Sequence, residues 1–257
     1  MSGWHDRTTV EYYEAFCRSC SRYAIANRAL VKHAALAAGQ RVLDVGAGTG
    51  RTTEMILGAV GESGKVVAVE PSGAMRRVGQ RRVADERVVW RRGMAGRLEH
   101  FDRILCGAGI WQFRSLAETV RDWAERLVPG GALAFNMPAL YLMEPDWPGG
   151  GEDPWLTALP GLLTDGRVAV GAVEPRWATD VDAALRAAGL RGRRWRFRVK
   201  FTQGAYATWL KIPVTTEGMM PGVATEERAR RIDAALTMVD GTSWKWERWI
   251  GWTAWKS

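Results

Sequence analysis

Residues 42–50 read Val42-Leu43-Asp44-Val45-Gly46-Ala47-Gly48-Thr49-Gly50, a short apolar run that ends in three glycines at alternate positions. A run this short and this apolar suits a buried strand. Glycines directly after it suit a sharp turn into a helix, where the backbone carries no Cβ atoms and a ligand can come close. A dinucleotide fingerprint spaces its glycines G-x-G-x-x-G, which would put the third glycine after Gly46 and Gly48 at position 51. That position holds Arg51, and an acid, Asp44, stands two places before Gly46. The spacing speaks against a nicotinamide dinucleotide.

Further along, Lys65-Val66-Val67-Ala68-Val69-Glu70 is a second apolar run, and it ends in a carboxylate followed by Pro71 and Ser72. An acid at the C-terminal end of a second strand is placed to hold a ribose diol. It could also be a helix-start acid for the helix expected over residues 73–83. Phe101-Asp102-Arg103-Ile104-Leu105-Cys106 supplies a further strand. Arg126-Leu127-Val128-Pro129-Gly130-Gly131 reads as a helix end and turn, leading into the strand Ala132-Leu133-Ala134-Phe135. These four motifs, in this order over residues 40–136, resemble the class I S-adenosylmethionine-dependent methyltransferases. The resemblance implies an α/β fold: a Rossmann-like, doubly wound, seven-stranded and mostly parallel sheet with helices on both faces. Its last strand would be antiparallel, inserted between the fifth and sixth.

The 257 residues, 47% of them hydrophobic, suffice for one sizeable core with insertions. One methyltransferase domain over 1–257 is expected, with an N-terminal helical lid (1–39), a cofactor-binding core (40–136), a substrate-side insertion (137–178) and C-terminal helices and edge strands (179–257). A helix is expected over residues 8–38, capped by Thr8 or Thr9 and closed by Gly39. Its apolar face carries Tyr12, Tyr13, Phe16, Tyr23 and Ile25. Residues 137–165 break the strand–helix rhythm with prolines, glycines and aromatics. Helices are expected over 179–189 and 225–238, and strands over Trp195–Phe201 and Trp244–Lys256.

Cys17, Cys20 and Cys106 form no disulfide framework and suit a reducing cytoplasm. Cys17 and Cys20 have the spacing of half a zinc site but lack the other ligands, so no metal is expected. No apolar run is long enough to span a bilayer, and the N-terminus lacks a signal-peptide stretch, so no membrane partner is expected. Lys and Arg number 36 against 28 acids, a formal charge of +8. The densest basic stretch alternates Arg194, Arg196, Arg198 and Lys200 with Trp195, Phe197, Val199 and Phe201, the pattern of a strand with a charged outer face. Nucleic acid is therefore not the expected partner. A small-molecule acceptor is, with the protein a monomer or a homodimer.

The resemblance implies S-adenosyl-L-methionine as cofactor. It places Asp44, Gly46 and Gly48 around the amino acid end and ribose and Glu70 on the ribose hydroxyls, with Ala47, Gly50 and Thr52 also cofactor-binding. Pro71 and Ser72 would lie beside the adenine, and Met75 is a further cofactor-binding candidate. Family members commonly carry an acid for the adenine amino group where this chain has Met94, followed by Ala95. Cys106 stands where the family uses a backbone carbonyl near the methionine amine. Trp111 is expected to touch both cofactor and acceptor. Methyl transfer needs alignment more than acid–base chemistry, and a base only when the acceptor must lose a proton. His33 and His100 are expected to be structural and exposed, respectively, and His5 sits in a leader that could fold over the site. Tyr13, Trp111, Tyr141 and Glu144 are the catalytic candidates, with Asp146 nearby. Trp4, Trp147 and Trp155 would add to an aromatic lid. The expected activity is methyl transfer to a small hydrophobic or aromatic molecule in specialised metabolism. The alternatives are an RNA methyltransferase and a cofactor-binding member that no longer methylates, such as a cyclase.

Overall fold

The computed structural model describes residues 3–94, 98–139, 142–143, 154–164 and 176–257. Five parallel strands form most of one sheet: β1 (Arg41–Val45), β2 (Lys65–Val69), β3 (Val88–Arg91), β4 (Phe101–Gly107) and β5 (Leu127–Pro138). Two short strands, β6 (Leu142–Met143) and β7 (Arg176–Trp177), pair with each other outside it. The long strands β8 (Leu190–Thr202) and β9 (Trp244–Lys256) complete a seven-stranded sheet of order β3-β2-β1-β4-β5-β9-β8. The last strand in sequence runs antiparallel to both β5 and β8 and lies between them, as the resemblance implies.

Strand order reverses between β1 and β4, and ligands of open α/β sheets bind at the carboxyl ends of strands at such a point. The loops leaving β1 and β4 begin at Gly46 and Ala108, so this topology alone points to those two turns as the floor of a site.

Alternation along the buried strands sorts the core into two layers. Leu43 packs with Val120 and Trp123 of α5 (Leu116–Glu125) and with Val181 and Leu185 of α7 (Ala178–Ala187). Val42 faces the other way, toward Leu30 and Ala34 of α2 (Arg22–Ala34) and Ile56 and Val60 of α3 (Arg51–Val60). Of the C-terminal tryptophans, Trp249 and Trp252 are fully buried, while Trp244 and Trp246 stay exposed.

The expected single helix over 8–38 is two helices, α1 (Arg7–Ser19) and α2. Cys20 takes an extended conformation (φ −133°) and breaks them apart. The cap is Asp6, whose side chain accepts from the Thr8 N–H, and Thr9 is instead buried. The end comes at Ala35 in a left-handed conformation rather than at Gly39. The break has a tertiary cause at Arg22, whose Nε and Nη2 donate to the two oxygens of Glu247 on β9 at 2.7 and 2.5 Å. The guanidinium lies within 5.0–5.6 Å of the ring centres of Tyr23, Phe201, Trp209 and Trp249. A buried ion pair with this many partners fixes direction where a continuous helix would carry Arg22 elsewhere.

Three further helices, α8 (Gln203–Leu210), α9 (Pro213–Thr216) and α10 (Thr225–Leu236), pack against α1 and against α6 (Pro154–Leu163). The helix α4 (Gly73–Arg82) follows β2. Most of the substrate-side insertion lies outside the described residues.

Candidate functional site

The β1 turn is built by conformation. Gly46 and Gly48 have φ of +70° and +57°, the left-handed region that β-carbons disfavour. A Cβ on Gly46 would meet no protein atom within 4 Å, and one on Gly48 would meet only the Gly46 carbonyl at 3.9 Å. Both glycines line a cavity of about 560 Å³, so the space beyond them is the site itself. Gly50 differs. Its Cβ would press on Gly79 of α4 and on Trp90, so this glycine serves helix packing.

Glu70 ends β2 facing the turn. Its Oε2 accepts from the Gly48 N–H at 2.9 Å and its Oε1 from the Ser72 N–H at 2.7 Å. Burial pushes its carboxyl up, while those two N–H bonds and the nearby His5 and Arg76 restrain the rise. A carboxylate that uses one lone pair on each oxygen keeps the other two for a pair of hydroxyls.

The helix α1 closes the opposite wall through Glu14. Glu14 accepts from the Thr49 hydroxyl at 2.5 Å, from Arg51 Nη2 at 2.8 Å and from Arg82 Nη2 at 2.7 Å. Burial works to raise its carboxyl, but the bonds from Arg51 and Thr49 outweigh it and Glu14 stays below the ordinary range. Ahead of α1, the Trp4 carbonyl accepts from the Ser72 hydroxyl at 2.7 Å. The leader is thus fastened to the end of β2.

The loop after β4 carries Ala108 in a left-handed conformation (φ +52°). Three bonds hold it there. Ala108 N–H donates to the buried Asn136 Oδ1 at 3.0 Å, and the Trp111 indole donates to the Ala108 carbonyl at 2.8 Å. Asn136 in turn donates to the Ala26 carbonyl of α2 at 2.8 Å. Beside it, Gly107 lies so close to Asn27 and Thr52 that a Cβ would come within 3.4 Å of each side-chain oxygen.

Of the residues expected at the site, the cavity brings together Gly46, Ala47, Gly48, Thr52, Glu70, Pro71, Ser72, Met75 and Met94, with Tyr13 and Trp111. Asp44, Gly50 and Cys106 lie behind its wall. Asp44 is almost fully buried and accepts from the Thr53 hydroxyl of α3 at 2.7 Å. Cys106 is fully buried, and burial pushes its thiol far up, which leaves it inert. Ala95, Tyr141, Glu144, Asp146 and Trp147 lie outside the described residues, as does the side chain of Trp155. His5 lines the cavity, His100 is exposed, and His33 stacks on Trp195 with ring centres 4.2 Å apart. Sequence reasoning missed Asn27, Gln112, Phe113, Asp122 and Trp123, all of which line the cavity. None carries a local signal, since Asn27 is brought there by α2 and the others by how the segment after β4 packs.

Burial, with the Glu70 carboxylate nearby, raises Asp44 to about 7 against the opposing bond from Thr53. A carboxyl raised on folding contributes stability below its unfolded value near 3.8 and loses it as pH climbs toward 7. Asp44→Asn is therefore expected to gain on the parent protein in melting temperature as pH rises from about 4 to 8. A gap that stays constant with pH would show that Asp44 is not buried as an acid.

The site fits a ligand with a ribose and an amino acid end. The glycine cradle is open, Glu70 has lone pairs to spare, and Asn27, Thr52 and Gly107 converge at the far end of the turn. Comparison with known proteins agrees. Residues 42–131 match the family model described as a methyltransferase domain. The ubiquinone/menaquinone biosynthesis C-methyltransferase UbiE of Coxiella burnetii is 32% identical over 116 residues, covering 41% of this chain and 46% of that protein. The chain thus spans about half the length of the curated relatives it matches. The YcgJ protein of Bacillus subtilis superposes over 91% of this chain and 98% of its own, at TM-score 0.61 and 19% identity. Geranyl diphosphate C-methyltransferase of Streptomyces coelicolor A3(2), solved with S-adenosyl-L-homocysteine, does so over 91% and 80%, at TM-score 0.54 and 14% identity. Residues 42–131 thus match a methyltransferase domain, and the chain shares its fold with methyltransferases, one of them solved with S-adenosyl-L-homocysteine.

Proposed function

We propose that this protein transfers the methyl group of S-adenosylmethionine to a small, largely apolar or aromatic molecule of specialised metabolism. The observation that carries this reading is an aromatic wall continuous with the glycine cradle. Trp4 and Tyr13 meet edge to face with ring centres 6.0 Å apart, Tyr13 and Tyr23 lie 5.7 Å apart, and all three line the cavity. Such a wall favours flat or hydrophobic acceptors and excludes water.

When bound, the cofactor supplies an electrophilic methyl on a sulfonium. The protein's own part is orientation. Gly46 and Gly48 admit the ligand, Glu70 holds the diol, and Trp111, locked to the Ala108 carbonyl, braces the turn after β4. Tyr13 acts as a neutral phenol. Burial, with Cys17 and Tyr23 beside it, pushes its hydroxyl well above the ordinary tyrosine range, so it can donate a hydrogen bond but does not serve as a base near neutral pH.

Several arginines around the cofactor-side elements are matched by acids, which supports a neutral acceptor over RNA. Arg51 and Arg82 share Glu14, Arg87 pairs with Asp85, and Arg91 pairs with Glu99. The reaction would take place in the cytoplasm. No helix among the described residues is long and apolar enough to cross a membrane.

The test is incubation with methyl-labelled cofactor and a panel of phenols, isoprenoids and quinone precursors, reading label in the acceptor and S-adenosylhomocysteine release. Transfer to an apolar acceptor is the expected result. Tight cofactor binding with acceptor turnover but no S-adenosylhomocysteine would point to a non-methylating member of the fold. Label appearing only in RNA, with an affinity that falls steeply with salt, would replace this reading with the RNA one.

A further inference from the structure

The ribbon formed by β8 and β9 runs past the rest of the sheet. Pairing of β5 with β9 ends at Pro138 and Trp249, whereas β8 and β9 stay paired out to Thr202 and Trp244. The start of β9, Trp244 to Arg248, therefore overhangs by roughly 17 Å, at the carboxyl end of the parallel strands where the cavity lies. Its two faces differ. On the inner face Glu247 holds the Arg22 guanidinium, and at its root the buried Trp249 meets the cavity-lining Tyr23 edge-on at 6.3 Å. On the outer face Trp244 and Trp246 are 47% and 44% exposed and meet edge to face, with ring centres 5.5 Å apart. Lys200 Nζ lies 4.6 Å from the Trp244 ring centre, and the Arg198 guanidinium 4.7 Å from that of Trp246. Arg196 and Arg248 continue this face, and no acid stands on it from Arg196 to Thr202 or from Trp244 to Arg248. Met238, 70% exposed, lies in the connection that leads into β9.

We propose that this outer face docks the protein on an anionic phospholipid surface. A solvated strand face needs only the charges, and half-exposed indoles there cost free energy in water. Indoles with cations beside them suit the lipid–water boundary, where the rings enter the headgroup layer and the cations meet phosphate. A second copy of the chain fits less well. The two indoles and Met238 expose roughly 300–400 Å² together, against about 800 Å² per partner in a stable dimer, and two such cationic faces repel. Single-stranded RNA is tracked by a basic groove, whereas this face is the side of a projecting two-stranded ribbon. Docking goes beyond the methyl-transfer reading and sets the cavity wall, on the inner face of the same ribbon, close to a reservoir of apolar molecules.

Co-sedimentation of the full chain with vesicles tests the docking without any acceptor, so a failed methylation assay leaves it standing. Vesicles of phosphatidylcholine with about one third phosphatidylglycerol should carry the protein down at low salt, and pure phosphatidylcholine vesicles should carry far less. Rising salt should release it. Arg198→Gln combined with Lys200→Gln should weaken the partition by about 10- to 50-fold, and Trp244→Ser combined with Trp246→Ser by about tenfold. Both variants should keep the parent's melting temperature and its affinity for S-adenosylhomocysteine, since none of the four residues lines the cavity. Absence of binding to the anionic vesicles, equal binding to neutral ones, or parent-level binding by both variants would overturn the proposal. A parent dimer that the tryptophan variant dissociates, without vesicle binding, would give the face to a second copy. RNA retention lost in the same variants, again without vesicle binding, would give it to RNA.

Discussion

Gly48→Val is expected to abolish binding of S-adenosylmethionine, and Glu70→Gln to weaken it by about 10- to 100-fold. Two effects add at Gly48. A β-branched residue at φ +57° is strained, and its side chain projects into the cavity rather than into protein. At Glu70 the structure separates two roles that the sequence leaves mixed. Its carboxylate satisfies the N–H groups of Gly48 and Ser72, so Glu70→Ala would orphan one buried and one half-buried donor and lower stability as well as affinity. Glutamine keeps one acceptor oxygen and removes the charge, so affinity should fall further than stability. Calorimetry paired with thermal melts of the unliganded protein decides the matter. A variant with full affinity and a lowered melting temperature would make Glu70 only a structural cap.

The strands that build the floor of the site were legible because buried parallel strands leave continuous apolar runs, and left-handed turns call for glycine. Val42 to Gly50, Lys65 to Glu70 and the antiparallel Trp244–Lys256 all stand where the motifs predict. Strand faces were harder to assign. Asp44 sits beside the glycine turn in sequence, yet alternation along β1 puts it on the side of Val42, under α3 and Thr53. Proximity along the chain to a binding loop does not decide which way a side chain points. The break at Cys20 was invisible because α1 and α2 together keep a helical apolar pattern. It follows from Arg22 reaching Glu247, a partner 225 positions away. Gln112, Asp122 and Trp123 were missed for the same reason. Their place in the cavity is set by how the segment after β4 packs, and no spacing rule carries that information.

Glu14→Gln is expected to unfasten the N-terminal cover and to change which form of the cofactor binds best. In the parent protein Glu14 holds the Thr49 hydroxyl of the glycine turn and neutralises Arg51 and Arg82. Arg51 itself lines the cavity. Substitution leaves Arg51 facing, and Arg82 behind, a site whose methyl donor carries a sulfonium charge, whereas the demethylated product does not. Affinity for S-adenosylmethionine should therefore fall by about tenfold or more, with a smaller loss for S-adenosylhomocysteine, and rising salt should narrow the difference. Loss of the latch is a second effect of the same change. Residues 7–19 should exchange amide hydrogen faster in the variant, and turnover should drop further than product affinity, because α1 carries Tyr13 into the aromatic wall. Deleting residues 1–20 should reproduce the turnover loss without the charge preference, since Glu14 and Tyr13 leave together while Arg51 and Arg82 gain access to solvent. Equal weakening of both ligands in Glu14→Gln, at every salt concentration, would remove the electrostatic role. Unchanged exchange in α1 would remove the latch.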